Sequence, residues 1–396
     1  MKKILLIGNQ NNNFFSLCRF LRDKNYNANL LLMQLETKHH IPEADSYDNN
    51  FNHYVTEGDL SRLPTGFFNT EKQYVNDLIY DYDIIIGCGL TPAYINKIGK
   101  KLDIFIPYGS DLMFQPFYGE KNIFDKKILK ILNQTYHQKK GIQHTRNIII
   151  PITNPLIDNC IDKLSYGGNR IISHIPFIYS KQYDRNILKA YVKKSNNKIL
   201  NDYVKLRERS DFVVFHHLRH GWKDLNSHDY KGNDKVIIGF KKFLNDSIAE
   251  NPMLILFEHG VDKDQSKLLI KELNIERYVK WFPIQYRRDI MCMIDLCDVG
   301  IGEVGHMSTI TYGSLCEFMC MSKPIIGNLD VKYNLEHNQE IYPIYNVNND
   351  NDVFKALSDI FSNQNEAKKS GRENKIWFDN NVIDKGLTNI INAIES

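Results

Sequence analysis

The chain has 396 residues, enough for two domains of ordinary size. Its 50 basic and 47 acidic residues give a net charge of +3, a balance too even to argue for a nucleic-acid-binding protein, and no nucleic acid is expected as a partner. No apolar run approaches the roughly 20 residues of a membrane-spanning helix. Seven cysteines without a zinc-site spacing, and no signal peptide, predict a protein of the reducing cytoplasm.

The first half of the sequence predicts a β-α-β series. Five segments are apolar without alternation, which is typical of parallel strands that are buried on both faces. They are 4–7, 29–33, 83–86, 104–106 and 148–150. Small or polar residues follow most of these segments, as expected where the carboxyl ends of strands form a ligand site.

A second series of predicted strands follows a charged, helical stretch. Its strands are 212–215, 253–257, 279–282, 299–302 and 324–327. Two α/β series in tandem predict two domains, each with its own parallel sheet. The predicted divisions are an N-terminal domain 1–180, a connector 181–210, a C-terminal domain 211–375, and a final helix 376–396 that crosses back to the first domain.

Two cationic positions in the second half suit a diphosphate. Arg219 follows a predicted strand, and Lys231-Gly232 precedes a predicted helix. A helix amino terminus offers unpaired N–H groups, and the two cations add positive charge. The alternative is a solvated basic turn.

Two further strand ends carry candidate ligand positions. Glu258 and Gly260 follow one strand, where a glycine allows the backbone to approach a ligand closely. Pro283 and Ile284 follow the next strand and are placed to flank a flat base.

A glycine-rich stretch then leads to a carboxylate. It contains Glu303, Gly305, Gly313 and Ser314, and it ends at Glu317 near a predicted helix start. A carboxylate there can accept hydrogen bonds from both hydroxyls of a ribose. A lone Glu is also an ordinary surface residue of a helix.

Taken in order, these pieces resemble the donor half of retaining GT-B glycosyltransferases of family four. The resemblance covers residues 212–327 well and the first half more loosely. It implies an α/β fold of two Rossmann-like domains whose parallel sheets face a central cleft. It also implies retention of configuration, a nucleoside diphosphate sugar as donor, no separate cofactor and no metal. Arg219 and Lys231 would stabilise the leaving group. Thr309 stands eight positions before Glu317, where the family often has a second glutamate, and it is kept as a substrate-binding candidate.

The first half offers a looser set of candidates for binding an acceptor. These are Gly8-Asn9 and Gly109-Ser110-Asp111, each directly after a predicted strand. Asp111 would act as a base or orient an acceptor hydroxyl. The alternative is an Asx turn that caps the next segment. Asp81-Tyr82-Asp83 precedes a strand, so we interpret it as a polar strand start and not as a metal-binding motif.

A basic, amphipathic segment at 121–146 predicts contact with the anionic inner face of a membrane, with a solvated helix as the alternative. The predicted function is glycosyl transfer to a glycan or lipid-linked acceptor in surface polysaccharide or lipopolysaccharide biosynthesis. Two alternatives remain open: a nucleotide-sugar epimerase on the same fold, and a non-catalytic nucleotide-sugar-binding protein, which Thr309 favours.

Overall fold

The structure is a computed structural model that describes residues 2–34, 39–118, 126–151, 155–227, 230–305 and 313–396, except for the side chains of residues 126 and 127. The chain divides into two compact units. The N-terminal unit comprises Met1–Tyr179 and Asn381–Ser396, and the C-terminal unit comprises Ser180–Asn380. Residues 181–210, predicted as a connector, therefore lie in the C-terminal unit.

The strands of the described residues are β1 (Lys3–Ile7), β2 (Asn27–Leu32), β3 (Val55–Glu57), β4 (Ile84–Gly87), β5 (Ile104–Phe105), β6 (Asn147–Ile150), β7 (Asn169–Ile172), β8 (Phe212–Phe215), β9 (Pro252–Phe257), β10 (Val279–Phe282), β11 (Val299–Ile301), β12 (Ile325–Gly327) and β13 (Tyr345–Asn346).

The α-helices of the described residues are α1 (Asn13–Asp23), α2 (Pro64–Asn69), α3 (Lys72–Ile79), α4 (Thr91–Lys97), α5 (Ser110–Met113), α6 (Lys126–His144), α7 (Pro155–Lys163), α8 (Arg185–Lys194), α9 (Lys198–Arg209), α10 (Asn233–Asp246), α11 (Lys263–Glu272), α12 (Arg287–Leu296), α13 (Gly313–Cys320), α14 (Val331–Glu336), α15 (Asp350–Ser362), α16 (Gln364–Trp377) and α17 (Lys385–Glu395).

The described part of the N-terminal unit contains a seven-stranded parallel sheet in the order β3-β2-β1-β4-β5-β6-β7. Leu5 of β1 lies beside Asn29 of β2 and Ile85 of β4. The central strands β1 and β4 are buried along almost their whole length, which explains their unbroken apolar runs. Helix α17 completes this unit, because the carbonyl of Ile394 accepts a 2.6 Å hydrogen bond from Lys2.

The described part of the C-terminal unit contains a six-stranded parallel sheet in the order β10-β9-β8-β11-β12-β13. Phe215, the last residue of β8, lies beside Ile255 of β9 and Gly300 of β11. The strand order reverses at β8, so the loops after β8 and β11 leave the sheet in opposite directions. In parallel α/β sheets, ligands bind at such a switch point. No helix within the described ranges is long and apolar enough to cross a membrane.

Candidate functional site

The loops that follow β8, β9 and β11 of the C-terminal unit contact one another at the carboxyl edge of the sheet. The N–H of His220 donates to the carbonyl of His259 at 2.7 Å, and the N–H of Asp262 donates to the carbonyl of His220 at 3.0 Å. The N–H of Val304 donates to the carbonyl of Lys231 at 3.2 Å. The fold thus brings together three segments that the sequence analysis singled out separately.

A buried network of uncharged side chains fixes the start of α10 to this edge. The Nδ1 atom of His216 lies 3.0 Å from the carbonyl oxygen of Ile301, which can only accept, so Nδ1 carries the proton. The Nε2 atom then accepts from Asn233 at 2.9 Å, and Asn233 in turn accepts from the N–H of Gly221 at 3.0 Å. Burial lowers the pKa of His216 to about 4, so the ring is neutral at pH 7.

Lys231 is buried beside the amino terminus of α10, and its ammonium donates to the carboxylate of Glu303. Both side chains are at most 10% exposed. Gly232 has a φ of 64°, and a Cβ on it would lie 1.9 Å from the carbonyl oxygen of Val304. Only glycine fits that position, so the backbone holds Lys231 and Glu303 side by side.

Arg219 lies exposed in the turn after β8. Its carbonyl accepts a 3.4 Å hydrogen bond from Asn233. Burial first and the charge of Arg219 second lower the pKa of His259, which lies in the loop after β9. The two predicted cations therefore differ: Lys231 is buried in an ion pair, whereas Arg219 faces solvent.

Glu317, at the fifth residue of α13, is 9% exposed and is held from two sides. Its Oε2 accepts from Nε2 of His217 at 2.7 Å, and its Oε1 accepts from Nε of Arg287 at 3.0 Å. Burial raises the pKa of Glu317, but these hydrogen bonds and the nearby charges outweigh it and leave the pKa below its usual value. The carboxylate is therefore ionised at pH 7.

Sequence reasoning missed both partners of Glu317. His217 lies two residues before Arg219 in the same segment after β8, but the sequence analysis assigned a ligand-binding role to the arginine alone. Arg287 is the first residue of α12 and lies 30 residues before Glu317. A cation shortly after Pro283 was the only local signal for it.

The remaining candidates of the C-terminal unit occupy different surroundings. Gly260 has a φ of 109°, and a Cβ there would lie 2.2 Å from the carbonyl oxygen of His220, so the close approach requires glycine. Glu258 is exposed and pairs with Lys267 at 2.6 Å. The other positions are Pro283, Ile284 and Gly313, which are exposed, and Gly305 and Ser314, which are half-buried. Thr309 lies outside the described residues.

Ile284 borders a surface pocket of about 450 Å³ in the C-terminal unit. The pocket is also lined by Tyr191, Tyr286 and Arg288. The guanidinium carbon of Arg288 lies 5.9 Å from the ring centre of Tyr191 and 5.7 Å from that of Tyr286. Flat aromatic surfaces and a cation thus flank the loop after β10.

In the N-terminal unit, Asp111 organises the loop after β5. Its Oδ1 accepts from the N–H groups of Tyr108 and Gly109, and its Oδ2 accepts from the N–H of Gly89, at distances of 2.9–3.0 Å. Asp111 is 3% exposed, and burial raises its pKa to about 6 despite these donors. Ser110, its neighbour, is exposed.

The loop after β1 lies beside the loop after β4. A Cβ on Gly8 would lie 2.6 Å from Sγ of Cys88. Asn9 is fully buried and bonds within the protein: its Oδ1 accepts from the N–H of Phe15, and its Nδ2 donates to Asn12 and to the carbonyl of His40. The amide of Asn9 therefore shapes the start of α1.

Within the described ranges, no group of three or more His, Cys, Asp or Glu side chains is arranged to hold a metal ion. Asp83 of the Asp-Tyr-Asp sequence accepts a 2.8 Å hydrogen bond from the N–H of Lys3, at the start of β1. Its carboxylate thus lies at the amino end of the sheet.

Comparison with protein-family models and with curated proteins finds no match. Solved structures do match over essentially the whole chain. Anabaena HepE in complex with UDP is 15% identical, with 99% of each chain covered and a TM-score of 0.59. The fold is GT-B. A glycosyltransferase from Rickettsia africae is 14% identical, with 100% of this chain and 98% of that chain covered and a TM-score of 0.61.

The same GT-B fold serves a second reaction class. The UDP-GlcNAc 2-epimerase of Neisseria meningitidis, bound to UDP-GlcNAc, is 8% identical, with 100% of each chain covered and a TM-score of 0.55. Likeness at such identities establishes two Rossmann-like domains and leaves the reaction to be argued from the site.

Proposed function

We propose that this chain is a glycosyltransferase that moves a sugar from a nucleoside diphosphate sugar to a hydroxyl of a glycan or lipid-linked acceptor. The observation that carries the proposal is the buried ammonium of Lys231 beside the start of α10, at the switch point of the sheet. A helix amino terminus and a buried cation suit a diphosphate, and such a donor needs no further cofactor.

The proposed chemistry follows from charge. Cleavage of the bond between sugar and phosphate leaves additional negative charge on the diphosphate. Lys231 supplies a point charge, Arg219 supplies a fork that can bind two oxygens, and α10 supplies its dipole. These groups take the role of a metal ion in the proposal, and configuration is retained.

The rest of the donor is assigned along the same edge. Glu317 receives the ribose, and Pro283 and Ile284 contact the base beside the aromatic pocket. Gly260 and Glu258 are assigned to the sugar of the donor. The backbone of Gly260 lies close to that of the loop after β8, as only glycine allows. We also assign contacts with the donor to Gly305, Thr309, Gly313 and Ser314.

The N-terminal unit is proposed to bind the acceptor. The exposed hydroxyl of Ser110 is one contact, with Gly8, Asn9 and Gly109 shaping the loops around it. Asp111 acts there as a base or an orienting group, and its raised pKa of about 6 suits proton transfer near neutral pH.

Helix α6 is the proposed contact with an anionic membrane, which would bring the enzyme to lipid-linked acceptors of a surface polysaccharide. Leu129 and Tyr136 are 69% and 58% exposed, and both lie on one stripe of the helix with Lys140. The ammonium of Lys130 lies 5.9 Å from the ring centre of Phe68, which is itself 50% exposed. Exposed apolar side chains next to half-buried basic ones favour an anionic lipid surface.

Vesicle sedimentation tests this contact. Reversing the charge of Lys130 and Lys140 to Glu should weaken binding to phosphatidylserine vesicles about 30-fold, from about 1 kcal/mol for each basic residue. The matched control is reversal of Lys368 and Lys369, an exposed pair on α16. Equal loss in both variants would contradict a contact through α6.

A nucleotide-sugar panel tests the main proposal. The likeness to HepE in complex with UDP-glucose, and to the epimerase bound to UDP-GlcNAc, supports these two nucleotide sugars as first probes, followed by GDP- and ADP-sugars. A ligand that binds the folded state raises its melting temperature. Sugar transfer to a lipid extract, followed by release of nucleoside diphosphate, would confirm a transferase. Nucleotide release without an acceptor would favour the epimerase, and binding without turnover would favour a non-catalytic protein.

A further inference from the structure

The carboxylate of Glu317 keeps acceptor capacity although both of its oxygens are bonded within the protein. An ionised carboxylate has about four acceptor positions, two on each oxygen. His217 uses one on Oε2, and Arg287 uses one on Oε1. As far as the described residues are concerned, one position therefore remains on each oxygen, which matches two neighbouring hydroxyls of one ligand.

The two partners fix the direction in which those positions point. His217 comes from the loop after β8, and Arg287 comes from the start of α12, so Glu317 is anchored to two different parts of the edge. The ring of His217 packs edge-on against Phe318 with centres 5.2 Å apart, and it is tilted against Phe215 at 5.6 Å. Packing of this kind limits the ring to one rotamer and hence the carboxylate to one orientation.

The protonation of His217 follows from its partner. An ionised carboxylate only accepts, so the Nε2 atom of His217 carries a proton. Its Nδ1 atom is buried and has no hydrogen-bond partner among the residues that the structure describes. An uncompensated polar atom in a side chain that is 8% exposed has a cost in stability. A role in orienting Glu317 explains why a histidine, and not an apolar residue, occupies this position.

We propose that His217 and Arg287 are positioning residues, which orient the Glu317 carboxylate so that it accepts from both hydroxyls of a ribose and thereby selects ribonucleotides over 2′-deoxyribonucleotides. This inference rests on the proposed nucleotide-sugar function. It assigns the sugar part of the nucleotide to a three-residue cluster, whereas the diphosphate depends on Lys231 and Arg219.

The test is a ratio of dissociation constants. Isothermal titration calorimetry with UDP and 2′-deoxy-UDP, and likewise with the GDP and ADP pairs, gives the ribose preference of each variant. We expect the wild type to prefer the ribonucleotide about tenfold or more, since one charge-assisted hydrogen bond is lost in the deoxy form. His217→Leu and Arg287→Met should reduce the preference to less than about threefold.

The deoxynucleotide is an internal control for folding. It lacks the 2′-hydroxyl but keeps the 3′-hydroxyl, so its affinity should fall less than that of the ribonucleotide in the variants, whereas general damage to the unit would weaken both ligands equally. His217→Gln retains an N–H donor at the place of Nε2 and should keep most of the preference. Arg287→Lys retains the charge without the guanidinium geometry and should lose it. These milder variants carry the test where the larger changes prevent folding.

Arg277→Met is the matched control. It removes the same charge from an exposed guanidinium of the C-terminal unit that lies against the ring of Tyr278, and it should leave the ribose preference unchanged. A preference that survives in His217→Leu and Arg287→Met would overturn the inference and make the cluster a structural contact only. Equal wild-type affinity for both nucleotides would overturn it while leaving nucleotide binding intact. Absence of binding by every probe would overturn the proposed function, and this inference with it.

Discussion

Replacement of Glu303 by Gln tests whether this buried carboxylate repels a bound diphosphate or contacts the ligand directly. The carboxylate accepts a hydrogen bond from the ammonium of Lys231, and both side chains are at most 10% exposed. A bound diphosphate would bring further negative charge to the same ammonium. Glu303 would then be a like charge close to the ligand. We expect Glu303→Gln to bind nucleoside diphosphates more tightly than the wild type.

The magnitude follows from Coulomb's law. Two like charges about 8 Å apart repel by about 2 kcal/mol at an effective dielectric constant of about 20, and by about 1 kcal/mol at twice that constant. The removal of one charge should therefore tighten binding by roughly 5- to 30-fold. The effect on folding has the opposite sign, since a buried lysine that loses its carboxylate costs about 3–5 kcal/mol, of which the amide oxygen recovers a part.

Glu317→Gln provides the contrast. It is the same substitution in a second buried glutamate of the same unit, but this carboxylate is proposed to contact the ligand. It should weaken nucleotide binding by about 1–3 kcal/mol, the loss expected for charge-assisted hydrogen bonds. Two isosteric changes are therefore predicted to alter the affinity in opposite directions.

Calorimetry with UDP, GDP and ADP measures both affinities at one salt concentration. Tryptophan fluorescence measures stability, because Trp222, Trp281 and Trp377 all lie in the C-terminal unit and report its unfolding. Glu303→Gln should combine a lower melting temperature with a larger ligand-induced rise. Weaker binding in Glu303→Gln, of the size seen in Glu317→Gln, would refute the reasoning and make Glu303 a direct ligand contact.

Two further predictions concern catalysis and pH. Arg219→Ala and Lys231→Ala should each lower kcat roughly 100-fold, or about 3 kcal/mol, with a smaller effect on the donor KM. Wild-type turnover should survive EDTA. Steady-state kinetics would contradict this prediction if both variants kept a near-normal kcat, or if chelation abolished wild-type activity. Burial raises the pKa of Asp111 from 3.8 to about 6, so its contribution to stability is complete below pH 3.8 and is lost as the pH rises through 6. The unfolding free energy of the wild type relative to Asp111→Asn should therefore fall by roughly 2.5 kcal/mol between pH 4 and 7, measured by urea titration with circular dichroism, and a flat difference would contradict the assignment.

The central strands and the edge strand β10 could be predicted from the sequence, whereas the edge strands β3, β7 and β13 could not. β4 and β9 are buried throughout and read as unbroken apolar runs. β3 and β7 lie at the edges of their sheet and are only partly buried, with Asn169 exposed at the start of β7. Half-exposed strands of three or four residues carry too few apolar positions to stand out from a loop.

The site could be predicted as a set of positions but not as a set of pairs. Lys231 and Glu317 stood out because each lies near a helix start that follows glycine. In the sequence, Glu303 lies 72 residues from its partner Lys231. His217 and Arg287 lie 100 and 30 residues from their partner Glu317. Sheet order decides these pairings, since β8 lies between β9 and β11, and no local pattern reports that order.

Different kinds of contact hold the carboxyl edge of the C-terminal sheet together and bind the proposed nucleotide, so its stability and its nucleotide affinity should respond differently to salt. Uncharged contacts hold the backbone: the neutral ring of His216 bonds Asn233, and Gly232 and Gly260 allow loops to approach within hydrogen-bonding distance. Hydrogen bonds between neutral buried groups depend little on ionic strength. The proposed ligand contacts are made by charged groups, whose interaction with a solvent-borne diphosphate is screened by salt before it binds. Added salt should therefore weaken nucleotide affinity while leaving the melting temperature of the C-terminal unit nearly unchanged. A parallel fall in both would mean that the ion pairs, and not the neutral network, hold this edge together.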